Sequence, residues 1–413
     1  MRIRNVVFTI LFCSFLLGPI ALFSAQKVIK VELPPNVTAK NAEYLSGNVS
    51  EVDVRANLSL KAFVSGNMQT ALESEVGNNI PFLADALLYN AAVQRNAIAC
   101  SNSVFNWKCY PTFYGSHYVV DPQHNALFEM PLLNERKISD RNTLEKGLVD
   151  FGKSLSIIAK EYPEKKFYVV IADRSSTSAS NPASALVSET MFSNECAQVI
   201  ATEISDNTNV SINVSTYDSV EKYLEDYYPT DHHWNGYGAI HAMPREVIEE
   251  NAVVPSDEID PLSFGKLIFD GTSSRRGLIC LNKGVAEPNF NVEEITADKT
   301  TSPYFSRILS EDGVEKVERD GLAAEYNFYA LWYGDVGHYT LTNKAIDSGA
   351  ALLFSDSYGD PVKWIVSGKY HKVIGNIELK TKHAVYDFNN VIQESDCDDI
   401  YLVAWAGSFA ALP

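Results

Sequence analysis

The chain has 413 residues, 46% of them hydrophobic and 21% charged, a composition that supports a large buried core and excludes a disordered chain. Its formal net charge of -18 at pH 7, with no run of lysine or arginine, repels polyphosphates and anionic lipid surfaces. No nucleic-acid partner is expected.

The N-terminus carries Arg2 and Arg4 and then an uncharged run from Val6 to Ala25. About 20 apolar residues match the hydrocarbon thickness of a bilayer, and the flanking arginines favour an inside N-terminus. Residues 1–25 therefore read as a signal anchor, with a cleaved signal peptide as the alternative. The run exceeds the usual apolar region of a signal peptide, and the bulky Phe23 stands where a small residue would precede a cut after Ala25. Either reading places the body outside the cytoplasm, anchored in the periplasm or at the cell surface, or secreted.

An oxidising compartment makes cysteines candidates for pairing. Cys13 lies in the apolar segment, which leaves Cys100, Cys109, Cys196, Cys280 and Cys397. The short loop "CSNSVFNWKC" predicts a disulfide between Cys100 and Cys109. The other three stay unassigned, one of them necessarily free, and the absence of any Cys-x-x-Cys removes support for a zinc ribbon or a thioredoxin-like site.

Residues 26–60 are polar, carry Asn-x-Ser/Thr sequons at Asn36, Asn48 and Asn57, and read as an exposed stalk. Residues 61–413 read as one body with insertions. Met68, Leu72 and Val76, then Phe82, Leu83, Ala86 and Leu87, recur at helical spacing on either side of Pro81, which predicts two helices meeting at a corner. Leu144, Leu148, Phe151, Leu155 and Ile158 predict another helix, followed by the short apolar run "KKFYVVIA". The same order returns as "CAQVIATEIS" and "NVSINVSTY". Further strands are expected at "GAALLFS", "YHKVIGNIEL" and "DDIYLVAW". Helices alternating with strands apolar on both faces predict an α/β fold, a parallel sheet covered by helices on both sides.

Two segments carry chemistry. In "GAALLFSDSYGDPVKWIV" a strand ends near Phe354, and Asp360-Pro361 reads as the N-cap and first position of a helix with Val362, Ile365 and Val366 beneath it. Ser357 then sits in the strand-to-helix turn, at the carboxyl edge of the sheet, where a nucleophile is exposed and helix amides face a developing oxyanion. The plainer reading is that Asp356 and Ser357 satisfy turn amides. In "YYPTDHHWNGYGA" an extended loop would point Asp231 and His233 the same way and His232 elsewhere, giving an oriented base in one segment. Both segments follow expected strands and would share one sheet edge.

"YYPTDHHWNGYGAIHA" resembles the signature of the DHHW protein family, related to the alginate O-acetyltransferase components of the SGNH hydrolase superfamily. "FVSGNMQTALESEVGNNIPFLADALLYN", "FDGTSSRRGL", "FYALWYGDVGHYTLTN" and "ALLFSDSYGDPV" resemble further family segments in the same order, from about residue 60 onward. The resemblance implies a three-layer, flavodoxin-like SGNH-type sheet in permuted order, with Asp and His preceding Ser. Carried over, Ser357 is the nucleophile, His233 the base and Asp231 its orienter. The family's usual lysine or glycine before Asp-Ser is Ser355 here, and "WNGYGA" stands in place of the commoner Trp-Thr.

The implied activity is acyl transfer on O-acetyl groups of cell-surface or extracellular polysaccharide, by an acetyltransferase or acetylesterase. Oxyanion or substrate contacts are expected from the Ser357 amide, Gly271, Thr272, Tyr358 and Trp234, and a carbohydrate platform from Trp234, Tyr237, Tyr329, Trp332 and Tyr333. No cofactor is expected, and a membrane-bound acyltransferase partner follows by analogy with the alginate systems. A metal role for Asp-His-His, as in the DHH phosphoesterases, lacks the separate aspartate clusters that hold two manganese ions, since "SDCDD" near the C-terminus holds the only Asp-x-Asp. The rival from another class is an inactive SGNH-like carbohydrate-binding or scaffolding protein.

Overall fold

The computed structural model describes residues 83–105, 118–121, 123–129, 141–184, 191–254, 338–376, 391–393 and 395–412, with shorter pieces at 59, 61, 63, 68–69, 271, 273–274, 288, 290–292 and 294–297. The expected anchor, all of the stalk but residue 59, the body of the first helix of the Pro81 pair, the Cys100–Cys109 pairing, Thr272, Tyr329, Trp332 and Tyr333 lie outside the described residues. No helix among the described residues is long and apolar enough to cross a membrane.

The chain divides into two compact units, residues 1–116 with 272–280, and residues 117–271 with 281–413. In the first, α1 (Leu83–Phe105) gathers Leu87 and Leu88 around the buried Ala91. It contains the expected second helix of the Pro81 pair. Its last turns run through position 100, so part of the expected Cys100 loop is helical.

The second unit is organised by strands whose residues are buried on both sides. After a hairpin of β1 (Tyr118–Asp121) and β2 (Ala126–Glu129), α2 (Arg141–Glu161) leads into β3 (Lys166–Ala172). Then come α3 (Ser193–Glu203), β4 (Val210–Val214), and the short helices α4 (Val220–Asp226), α5 (Gly236–Ala242) and α6 (Arg245–Ile248). The C-terminal half adds β5 (Ile295–Ala297), β6 (His338–Asn343), β7 (Ala350–Ser355), α7 (Gly359–Ser367), β8 (Lys372–Asn376), β9 (Asp399–Trp405) and α8 (Ala406–Phe409). The hairpin had no counterpart among the expected elements.

Strands pair in the order β4-β3-β9-β7-β8-β6-β5, a seven-stranded sheet. The first five run parallel, as the doubly apolar pattern predicts. The sheet is nevertheless mixed, because β6 pairs antiparallel with β8 and β5 antiparallel with β6. Strand alternation sorts the core into two layers. Phe167, Val169 and Ile171 of β3 with Ile400 and Leu402 of β9 pack under Leu148, Phe151 and Leu155 of α2 and Ile200 of α3. Tyr168 and Val170, with Tyr401 and Val403, face the opposite way and meet Val362, Ile365 and Val366 of α7 and Ala239 of α5. Each such apolar side chain contributes about 1.5–3 kcal/mol when buried, so both helical layers are held by the sheet they cover.

The helix after β7 begins earlier than the Asp360-Pro361 pair suggests. It starts at Gly359, because Asp356 already satisfies the turn: its Oδ1 accepts the Tyr358 N–H at 2.9 Å and its carbonyl accepts the Gly359 N–H at 3.0 Å. Asp360 lies instead in the first turn, where it pairs with the buried Lys363 at 2.9 Å. Burial pushes the Lys363 ammonium below its ordinary pKa, opposed by that carboxylate.

The loop of the second motif does not follow a strand directly. Helix α4, capped by the Ser219 hydroxyl, stands between β4 and the loop. It is braced at both ends by His-carboxylate contacts, His124 Nε2 to Glu221 at 2.8 Å and His241 Nδ1 to Asp226 at 2.8 Å. The hydrogen bond to Asp226 raises the His241 pKa above the ordinary 6.5. A raised folded value means this stabilisation is complete below pH 6.5 and is lost as pH rises through the folded value. Because the His241 side chain is 60% exposed, the effect on stability is small. An NMR titration should find the His241 pKa raised in the wild type and returned toward 6.5 in Asp226→Asn; an unchanged pKa in the variant would show that Asp226 is not the cause.

Candidate active site

Because β3, β9 and β7 run parallel, their carboxyl ends share one edge, and the segments after them carry Asp173, Ala406 and Ser357 to it. Ser357 is half-buried, between Asp356 and Tyr358, both buried. The Asp356 carboxylate fastens this turn to the end of β9: Oδ2 accepts the Trp405 N–H at 3.3 Å and the Ser408 hydroxyl at 2.7 Å. Beneath it, a Cβ on Gly359 would lie 2.1 Å from Ser355 Oγ, so the first helical residue must be glycine for the chain to pass over Ser355.

The second motif arrives through a tight bend. Tyr227 bridges Trp234 in antiparallel fashion, the Asp231 N–H bonds the Tyr228 carbonyl at 3.3 Å, and the Pro229 carbonyl accepts the Leu127 N–H of β2 at 2.8 Å. Asn235 then caps α5 by accepting the Gly238 N–H at 2.9 Å, which explains how "WNGYGA" starts a helix without the threonine.

Asp231 and His233 meet differently from the extended-loop reading. The Asp231 carboxylate accepts the His233 backbone N–H at 3.1 Å, an Asx-type turn that folds the side chain over its own loop. The same Oδ1 lies 2.6 Å from His233 Nδ1. His232 does not point away, because the bend packs its ring against that of His233, with centroids 3.9 Å apart and the planes tilted by 37°.

His233 Nε2 lies 2.6 Å from Ser357 Oγ, across 124 residues of sequence. An ionised carboxylate can only accept, so Nδ1 carries the proton and Nε2 turns its lone pair to the serine hydroxyl. Asp231 and His233 are both buried, which keeps the pair strong by limiting screening. The arrangement can move a proton off Ser357 and hold the resulting imidazolium. Among the described residues the Ser357 N–H has no acceptor, and it stands just before the N-terminus of α7, so it can donate to an oxyanion.

No protein-family model matches the sequence, and no curated protein matches it. Among solved structures the chain is similar to PatB1 of Bacillus cereus carrying a sulfonyl adduct, at 14% identity over 71% of this chain and 97% of that chain, with a TM-score of 0.47. A second PatB1 structure from Bacillus cereus gives 16% identity over the same shares, again with a TM-score of 0.47. A DHHW family protein from Eubacterium siraeum gives 13% identity over 64% of this chain and 86% of that chain, with a TM-score of 0.46.

Several expected contacts fall elsewhere. Trp234 is fully buried and offers no open face to a sugar; its indole N–H donates to the Tyr358 carbonyl at 3.0 Å. Tyr358 is also buried, and its hydroxyl donates to the His232 carbonyl at 2.6 Å, so neither an oxyanion nor a substrate can take it. The two residues form a reciprocal clamp between the Asp-His loop and the serine turn. Gly271 gives its N–H to Thr230 Oγ1 at 3.1 Å and so is not an oxyanion donor. Of the aromatic platform, Tyr237 is half-buried on α5.

Sequence reasoning missed the anchoring role of Asp356 with Ser408, and the buried polar knot after β3. There Arg174 holds Glu129 through two bonds of 2.5 and 2.6 Å and lies over the Trp405 ring at 4.8 Å. Burial pushes the neighbouring Asp173 carboxyl up to about 7, opposed by hydrogen bonds from Ser193 and Ser178. The signal that could have found Asp356, Ser408, Asp173 and Arg174 is position, since each follows a strand at the same carboxyl edge; Glu129, at the end of the separate hairpin, carries no such signal.

The clamp has a measurable consequence. Tyr358→Phe keeps the ring and deletes the bond to the loop, and is expected to lower kcat about 10- to 100-fold with little change in KM, as a misplacement approaching 1 Å does. Equal kcat in the variant and the wild type would show that the hydroxyl does not hold the base in register.

Proposed function

We propose that this chain is an exported serine acyl-transfer enzyme of SGNH type in permuted order, acting on O-acetyl groups of cell-surface or extracellular polysaccharide. The observation that carries the reading is the pair of 2.6 Å contacts that link Asp231, His233 and Ser357 in series at the carboxyl edge of a parallel sheet. Ser357 Oγ attacks the ester carbonyl while His233 Nε2 takes its proton. The Ser357 N–H steadies the oxyanion, and the tetrahedral intermediate collapses as His233 returns the proton to the leaving alkoxide. An acceptor hydroxyl, from a sugar or water, then gives its proton to His233 as it attacks the acyl-serine carbonyl, and His233 returns that proton to Ser357 Oγ as the serine leaves.

The carbohydrate substrate and a membrane-bound acyltransferase partner rest on the family resemblance of the sequence segments. The extracytoplasmic location rests on residues 1–25. Acetate release from p-nitrophenyl acetate and from O-acetylated glycans tests the activity. The wild type should turn over at least one of them and His233→Ala neither. A folded wild type that releases no acetate from either would leave the inactive binding or scaffolding protein as the better reading.

A further inference from the structure

Two imidazoles converge on one carboxylate oxygen. His233 Nδ1 lies 2.6 Å and His232 Nδ1 3.4 Å from Asp231 Oδ1, and one donor atom from each of the three residues falls within 4.8 Å of the others. Two neutral imidazoles and a carboxylate form a borderline donor set that suits Zn²⁺, whereas Mg²⁺ and Ca²⁺ call for six or more oxygens. Tetrahedral zinc with bonds of roughly 2.0–2.2 Å holds its ligand atoms about 3.3 Å apart. The Asp231–His232 separation of 3.4 Å already has that length, and the Asp231–His233 contact of 2.6 Å need open by less than 1 Å. The field of a chain with net charge -18 raises the local cation concentration.

We propose that Asp231, His232 and His233 form an inhibitory zinc site inside the candidate active site. The inhibitory part rests on the acyl-transfer reading above; the binding part does not. Zinc forms a dative bond at His233 Nδ1, and the Nδ1–H···Oδ1 hydrogen bond to Asp231 breaks. The ring stays neutral as its single proton moves from Nδ1 to Nε2. Nε2 then only donates toward Ser357 Oγ and cannot take the serine proton. His232, which the acyl-transfer steps do not use, thereby acquires a function as the ligand that makes the site bind metal.

The test uses the full chain without an affinity tag, stripped with EDTA and titrated with zinc chloride alone in a calorimeter. One zinc per chain is expected, with affinity at least tenfold weaker in His232→Gln and in His232→Phe, which keeps a ring against His233. His241→Gln should bind as the wild type does, since its Asp226 contact is a separate pair. In parallel, a fluorophosphonate should label Ser357 at least tenfold more slowly with zinc bound and at the original rate after EDTA. No bound zinc, wild-type affinity in both His232 variants, or labelling that bound zinc leaves unchanged or accelerates would each overturn the proposal. A wild type that is unlabelled with or without zinc sinks the acyl-transfer reading, and with it the inhibitory claim, while calorimetry still decides the site.

Discussion

Asp231→Asn is expected to lower kcat by about 10⁴-fold with the fold intact, the cost of presenting the wrong imidazole tautomer to a serine. The carboxylate accepts from His233 Nδ1 at 2.6 Å and from its backbone N–H at 3.1 Å. Both bonds end on the one oxygen Oδ1, so an asparagine that turns its NH₂ to that position drives the ring proton to Nε2 and closes the lone pair that Ser357 needs, and one that keeps its oxygen there loses the charge that holds the imidazolium. Steady-state hydrolysis of p-nitrophenyl acetate, with circular dichroism as a folding control, reads the effect. A loss smaller than tenfold in a folded variant would mean that His233 is oriented by something other than Asp231.

Gly271→Ala is expected to lower kcat about 100-fold and to destabilise the fold by about 1–3 kcal/mol. A Cβ at this position would stand 2.5 Å from both Asp231 Cβ and Oδ2 and 2.8 Å from the Thr230 carbonyl oxygen. Real Cβ atoms do not come so close, and the Thr230 contact is backbone, so the Asp231 side chain must give way. The glycine thus matters for the space behind the orienting carboxylate. Thermal unfolding and kcat should fall together; a variant with wild-type turnover would show that the segment moves aside without disturbing Asp231.

The parts of this architecture that are legible in the sequence are those set by local period. The apolar runs of β3, β7 and β9 and the helical spacing in α2 sit where the pattern puts them, because burial on both faces or on one stripe leaves a direct mark. The antiparallel edge is marked differently: in β6 Tyr339 and Leu341 are buried while Thr340 and Thr342 between them are only half-buried, the alternation of a strand with one wetter face, in a segment too polar to stand out as an apolar run.

At the site, residue types were readable and their orientations were not. The two-residue spacing of Asp231 and His233 suggests an extended loop, yet an Asx-type turn brings them together and packs the His232 ring beside them. Trp234 has the chemistry of a sugar platform and Tyr358 that of an oxyanion or substrate contact, but both are buried between the two segments, bonded to the Tyr358 and His232 carbonyls. A contact between residues more than 120 positions apart has no local signature. Gly271 shows the same gap, since nothing near it in sequence announces that Asp231 lies behind it.

The most direct test is the identity of the residue that becomes covalently modified. The full chain would be treated with a fluorophosphonate, and the adduct counted by intact mass and located by peptide mass spectrometry. A single adduct on Ser357 is predicted, absent from Ser357→Ala and formed far more slowly in His233→Ala. An adduct on any other residue, or a folded wild type that takes up no probe, would contradict the assignment of Ser357 as the nucleophile that His233 activates.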